Sequence, residues 1–191
     1  MPLNNVAQLS CRSLVETMEA DCARFRRQAI ECPNDLSLWT KLHTVSQIML
    51  SAMREAKVSS ALAEICSNLL ACEQVAIVEI SRATAEVHFC EAQRLSSEMR
   101  AAIANQGRML ESQIELGKTR ITLDKSSKEL LGLSRLGISA LVPLWSEQRS
   151  SGAMLLFQLL PQRSEFDTED REILQFLSTH AGPCLRSKSL D

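Results

Sequence analysis

Two hydrophobic rhythms divide the chain. From Cys11 to Leu69 apolar residues recur three and four positions apart, whereas from Val75 onward they come in short continuous runs. The first rhythm predicts helices. Cys11, Val15, Met18, Cys22, Phe25, Ala29 and Cys32 follow a 4-3-4-3-4-3 spacing that places them on one seam. Pro33-Asn34-Asp35 breaks that helix, and Asp35 can cap a second one, where Leu38, Leu42, Val45, Met49, Ala52 and Ala56 repeat the rhythm. Val58, Leu62, Ile65 and Leu69 form the stripe of a further helix, which Lys57 can join to the second. No glycine precedes Gly107 and no proline lies between Pro33 and Pro143, so long helices can run unpunctuated through the first seventy residues.

After Glu73 the period changes. Val75-Ala76-Ile77-Val78-Glu79-Ile80 is rich in β-branched residues and predicts a strand, with Val87-His88-Phe89-Cys90 as its hairpin partner across residues 81–85. Ser97 to Gln106 reads as a short helix with Gly107 as its C-cap. Met109 to Leu116 and Arg120 to Leu123 read as two more strands, and Asp124 to Leu136 as a loop entering a short helix that stops at Gly137. Gly137 to Leu144 and Ser151 to Leu159 are strands so continuously apolar that neither face should meet water, so helices must cover both sides. Phe166-Asp167-Thr168-Glu169-Asp170 opens the last helix. Asp167 supplies the N-cap, and Glu169 and Asp170 place negative charge where the helix dipole favours it.

Composition narrows the function classes. The 191 residues are 45% hydrophobic with net charge −2, enough for one domain of about 150 residues plus an extension. No basic stripe with interleaved aromatics suggests a nucleic-acid surface. There is no apolar run of about 18 residues and no secretory leader pattern, so the expectation is a cytoplasmic protein with no membrane contact. The seven cysteines form no C-x-x-C pair and no cluster with histidine at metal-binding spacing, so no metal site is expected and the thiols read as small reduced hydrophobes. No G-x-S-x-G, G-x-G-x-x-G or P-loop lysine appears, which leaves hydrolase and phosphate-cradle chemistry without support.

Residues 36–186 resemble a GAF domain. The resemblance rests on Ser139-Ala140-Leu141-Val142-Pro143-Leu144, then Gly152-Ala153-Met154-Leu155, then Phe166 with Asp170 and the Ile173, Leu174, Leu177 stripe. The turn Glu147-Gln148-Arg149 departs from the family in lacking a glycine. The resemblance implies an α+β, GAF-like antiparallel sheet of five or six strands with helices on both faces. It divides the chain into an N-terminal helical extension (1–34), a GAF-like domain (35–186) and a tail (187–191). It further implies a non-catalytic sensory or regulatory module of bacterial-type signal transduction that binds an unidentified small molecule and signals through its terminal helices, a dimer or a signalling protein partner. A ligand-free scaffold is the alternative, and a methionine sulfoxide reductase-like enzyme a more distant one, because no cysteine lies between Cys90 and Cys184. The Asn-Lys-Phe-Asp-Glu signature of cyclic-nucleotide-binding members is absent, and His180 and Cys184 sit on the closing helix, away from a bilin-attachment context.

By this reading the pocket lies beside the second strand and the middle insertion, lined by Phe89, Ile121, Leu123, Leu133, Leu136 and Trp145, with no cofactor specified. His88 and Cys90, two apart on a strand, share a face, but no third ligand accompanies them. His43 is expected in solvent or at a dimer contact, His180 beside the C-terminal dipole of the last helix, and Trp39 as a packing anchor for the N-terminal segment or a partner. The two helical seams point to a homodimer through the N-terminal helices. The competing arrangement folds the first helix back on the second within one chain.

Overall fold

Strand β1 (Val75–Ser81) is buried along nearly its whole length because it lies inside the sheet with layers of side chains on both faces. A computed structural model describes residues 3–32, 35–55, 57–117, 119–121, 131–146, 150–160, 163 and 165–186 of the chain. β1 pairs antiparallel with β2 (Val87–Gln93) on one side and with β5 (Ser150–Leu156) on the other. β5 pairs with β4 (Ala140–Ser146), and β4 with a two-residue edge, β3 (Arg120–Ile121). The order is β2-β1-β5-β4-β3. The architecture is therefore α+β with an antiparallel sheet, but only four strands are full length, not five or six.

The shortfall has a physical cause. Met109–Leu116, expected as a strand, instead forms the body and C-cap of helix α5 (Gly107–Glu115). Its buried side chains are Leu110 and Ile114, one helical turn apart, so the segment follows the 3.6 period rather than alternation. Gly107, expected as the C-cap of α4 (Ser97–Ala104), instead opens α5. It is needed for close approach, since a Cβ there would sit 1.8 Å from the Ala85 carbonyl oxygen. The Gly137 expectation holds: after α6 (Leu131–Arg135), Gly137 takes φ +71°. The Ile138 N–H donates to the Leu133 carbonyl and the Gly137 N–H to that of Ser134, the paired bonds of a Schellman stop.

Two apolar layers sandwich the sheet. One face, with Ile77, Val142, Met154 and Leu156, packs against α1 (Leu3–Glu31), α2 (Leu36–Glu55), α3 (Val58–Asn68) and α7 (Thr168–Arg186). The other, with Val78, Leu141, Leu155 and Phe157, packs against α4, α5 and α6. Ile77, Leu141, Leu155, Phe157, Ile173, Leu174 and Leu177 are all buried as expected. α2 and α3 are separate helices, divided at Lys57, whose N–H reaches back to the Ala52 carbonyl. α1 lies along α2 in the same chain, burying Met18 and Phe25 against Leu42, Val45 and Met49. α1 thus folds back on α2 within the chain, and this contact covers the first seam at Met18 and Phe25. The Pro33-Asn34 break, the 124–130 loop, the Glu147-Gln148-Arg149 turn and the 187–191 tail lie outside the described residues.

The start of α7 shows why its acidic residues are there. The Asp167 carboxylate accepts from the Asp170 N–H at 2.9 Å, and that of Asp170 accepts from the Asp167 N–H at 3.0 Å, a reciprocal capping box. Arg163 reaches both carboxylates, at 2.8 Å from Asp167 and 2.9 Å from Asp170. The Asp170 N–H bond holds the Asp167 carboxyl below its usual range, whereas burial pushes Asp170 up. Glu169 turns outward to Lys41 and Ser37 of α2, and the Lys41 hydrogen bond lowers its pKa. A depressed carboxyl contributes stability present above its ordinary value, here 4.5, and lost as pH falls through the lower folded value. Glu169→Gln is therefore expected to lessen the acid-induced loss of stability below about pH 4.5, by less than about 1 kcal/mol because the pair is partly solvated. Urea midpoints of both proteins across that range measure it, and parallel curves would contradict the assignment.

Candidate functional site

The sequence-predicted lining residues do not all meet. Phe89, opposite Val78 in the ladder, and Leu136 pack at the border of the α4–α6 layer, and Leu133 is fully buried within it. The Ile121 backbone pairs with Ala140 at the sheet edge, and Leu123 lies outside the described residues. Trp145 is on the opposite face, against the α1/α2/α3/α7 layer, with its ring on Gly152. A bulge between Pro143 and Trp145 puts it there: the extra residue shifts the alternation, so Leu144 and Trp145 join the same layer.

Sequence reasoning missed several buried polar atoms. Ser151 is fully buried, and β5 alternation places it on the same face as Ala153 and Leu155. Its hydroxyl, the Gln113 carboxamide oxygen and the Thr119 hydroxyl are buried with no hydrogen-bond partner among the described residues. Buried polar atoms almost always have a partner, so these three stand out as exceptions. The only hint in the sequence is a serine at an inward-facing position of an otherwise apolar strand. The α4–α6 layer is dense: Ile103, Leu110, Ile114 and Leu133 are all fully buried.

The thiols and imidazoles offer little reactive chemistry. Burial pushes Cys66 far up and Cys72 to about 12, so neither is activated as a thiolate. His88 and Cys90 are both exposed, and among the described residues no three His, Cys, Asp or Glu side chains gather as metal ligands. His43 is not free in solvent: its Nδ1 lies 3.3 Å from Cys22 Sγ and 3.1 Å from the Cys22 carbonyl oxygen, joining α1 to α2. His180 pairs with Asp21 of α1 at 3.4 Å and lies on the Phe176 ring, and burial lowers its pKa. Trp39 does anchor the N-terminal segment, stacking on Phe25 with ring centroids 5.9 Å apart.

The geometry can be set beside known proteins. No family model matches the sequence, and no curated protein matches it. Among solved structures, the chain is similar to the crystal structure of the GAF domain/HD domain protein from Geobacter sulfurreducens. The superposition has a TM-score of 0.52 at 15% identity and covers 70% of this chain and 93% of that one. The likeness is one of fold, and it makes the architecture GAF-like. Among the described residues no helix is long and apolar enough to cross a membrane.

Proposed function

We propose that this protein is a non-catalytic, GAF-like sensory or regulatory module that takes a small molecule on the α4–α6 side of its sheet. The observation that carries the reading is the buried, partnerless hydroxyl of Ser151 on that face, supported by Gln113, Thr119 and the fold likeness. Phe89, Leu133 and Leu136 supply the apolar wall, and binding is read out through α1, α2 and α7, packed on the reverse of the same strands. A second reading, a ligand-free interaction scaffold, draws on the dense packing of Ile103, Leu110, Ile114 and Leu133.

A thermal-shift screen against nucleotides, cyclic nucleotides, amino acids and haem tests the two, because a ligand that binds only the native state raises the melting temperature. The expected result is a saturable rise that Phe89→Trp abolishes and Ser151→Ala reduces at least fivefold in affinity. A ligand whose affinity neither change alters would place the site elsewhere, and no response to any compound would favour the scaffold.

A further inference from the structure

Away from that face, α1 and α2 border an open groove of about 460 Å³. The Cys22–His43 contact at 3.3 Å and the Glu19–Arg54 pair at 3.1 Å hold the two helices antiparallel, so Leu50 of α2 lies toward the Glu19 end. Cys22 and Ala23, both small, sit between that end and Arg26 and Arg27, one helical turn further along α1. Ile30 borders the other end. The charges along the groove do not cancel. Glu19 is paired with Arg54, whereas Arg24 pairs with Asp21 at 2.8 Å and lies over the Phe25 ring. Arg26 and Arg27 are exposed, border the groove, and have no carboxylate partner among the described residues. A mostly apolar trough is thus joined to two exposed, unpaired guanidinium groups.

We infer that this groove binds a small amphipathic carboxylic acid, one carboxylate on an alkyl or aryl-alkyl body. The guanidinium fork matches the two oxygens of a carboxylate, and the charge-assisted hydrogen bonds it makes are stronger than neutral ones. With its head at Arg26 and Arg27, the acid lays its body over Cys22 and Ala23 toward Leu50. Arg26 and Glu19 are two helical turns apart, about 10 Å. That length suits a medium-chain acid and leaves a long one hanging in solvent. The volume falls within the range of small-molecule sites. Because the groove is open, one flank of the guest stays in water, and the two positive charges decide for an anion over a neutral or cationic molecule of the same shape. The guest touches both helices, so occupancy fastens α1 onto α2. The site stands independently of the α4–α6 reading, because it uses different side chains on the other side of the sheet.

The test uses the full chain with octanoate and phenylbutyrate as probes. Octanol, octylammonium and acetate serve as controls that lack the charge, reverse it or lack the body. Titration calorimetry follows binding. At least one acid is expected to bind saturably, with every control at least tenfold weaker. The double variant Arg26→Gln, Arg27→Gln should weaken binding at least tenfold. Ala23→Glu should do the same, because it sets a carboxylate in the middle of the groove, one turn before Arg27. All three positions are exposed on α1, and melting curves establish that the variants fold. Phe89→Trp should leave this binding unchanged, which separates it from a site on the other face. Absence of saturable binding by both acids would overturn the assignment. If light scattering then shows an oligomer that the double variant dissociates, the occupant of the groove is a second copy of the chain. Binding that octanol matches, that neither variant weakens, or that Phe89→Trp removes would overturn the assignment equally.

Discussion

Asp170→Ala is expected to lower the unfolding free energy by about 3 kcal/mol, the low end of the range for breaking a buried ion pair from one side. Two interactions go at once. Arg163 loses its buried partner, and the Asp167 N–H loses its acceptor, which leaves the capping box of α7 with one arm. The value falls at the low end because Arg163 keeps Asp167 and is itself partly exposed, so its charge can recover solvent. Asp170→Asn retains an acceptor for the Asp167 N–H and should cost less. Burial raises the Asp170 pKa, so its protonated form persists to higher pH than usual. The deficit of Asp170→Asn should therefore shrink in acid, as the native carboxyl takes up its own proton. Urea unfolding at neutral and acid pH measures both effects, and a loss under about 1 kcal/mol for Asp170→Ala would mean that the pair is a bystander.

Gly182→Ala is expected to destabilise by about 2–3 kcal/mol, although alanine favours a helix interior over glycine by about 1 kcal/mol. The sign separates intrinsic propensity from packing. A Cβ at Gly182 would stand 1.9 Å from the Leu144 carbonyl oxygen, a backbone atom that no rotamer change can move aside. One turn earlier, the Ser178 hydroxyl donates to the Pro143 carbonyl at 2.7 Å, so α7 rests directly on the β4 backbone. Room for the methyl requires the helix to lift and strains that bond. Thermal unfolding of Gly182→Ala beside Ser178→Ala measures the two halves of this seat, and a stabilised Gly182→Ala would show that the helix shifts at no cost.

Much of this framework was legible because local pattern and tertiary role agree. The β1–β2 hairpin, the β4 and β5 runs, the Asp167 cap and the Gly137 stop each follow from a few neighbouring residues. What failed depended on distant partners. Gly107 reads as a helix end unless one knows that Ala85 passes beside it. Met109–Leu116 is short enough for a helical stripe to pass as a strand. Trp145 lands on the far layer because one bulge residue inverts strand parity for everything after it. Of the pocket residues, Phe89, Leu133 and Leu136 share a layer, yet the polar atoms that would recognise a ligand went unnoticed. An inward-facing serine in an apolar strand is a hint, but the absence of a partner for it has no sequence signature, since it depends on distant residues.

The sheet order also sets a schedule for the nascent chain. β1 is flanked by β2, its immediate successor, and by β5, which begins at Ser150, roughly 70 residues after β1 ends at Ser81. At typical translation rates of about 5–20 residues per second, that gap lasts about 4–14 seconds. Throughout it the hairpin carries an open edge along Val75–Ser81, a strand whose side chains are apolar toward both faces. The α1–α2 pair, built from neighbours in sequence, can form early and cover one face, but the edge itself closes only when β5 arrives. Aggregation during synthesis should therefore respond to changes that weaken β5 far more than to equal losses of stability in α1.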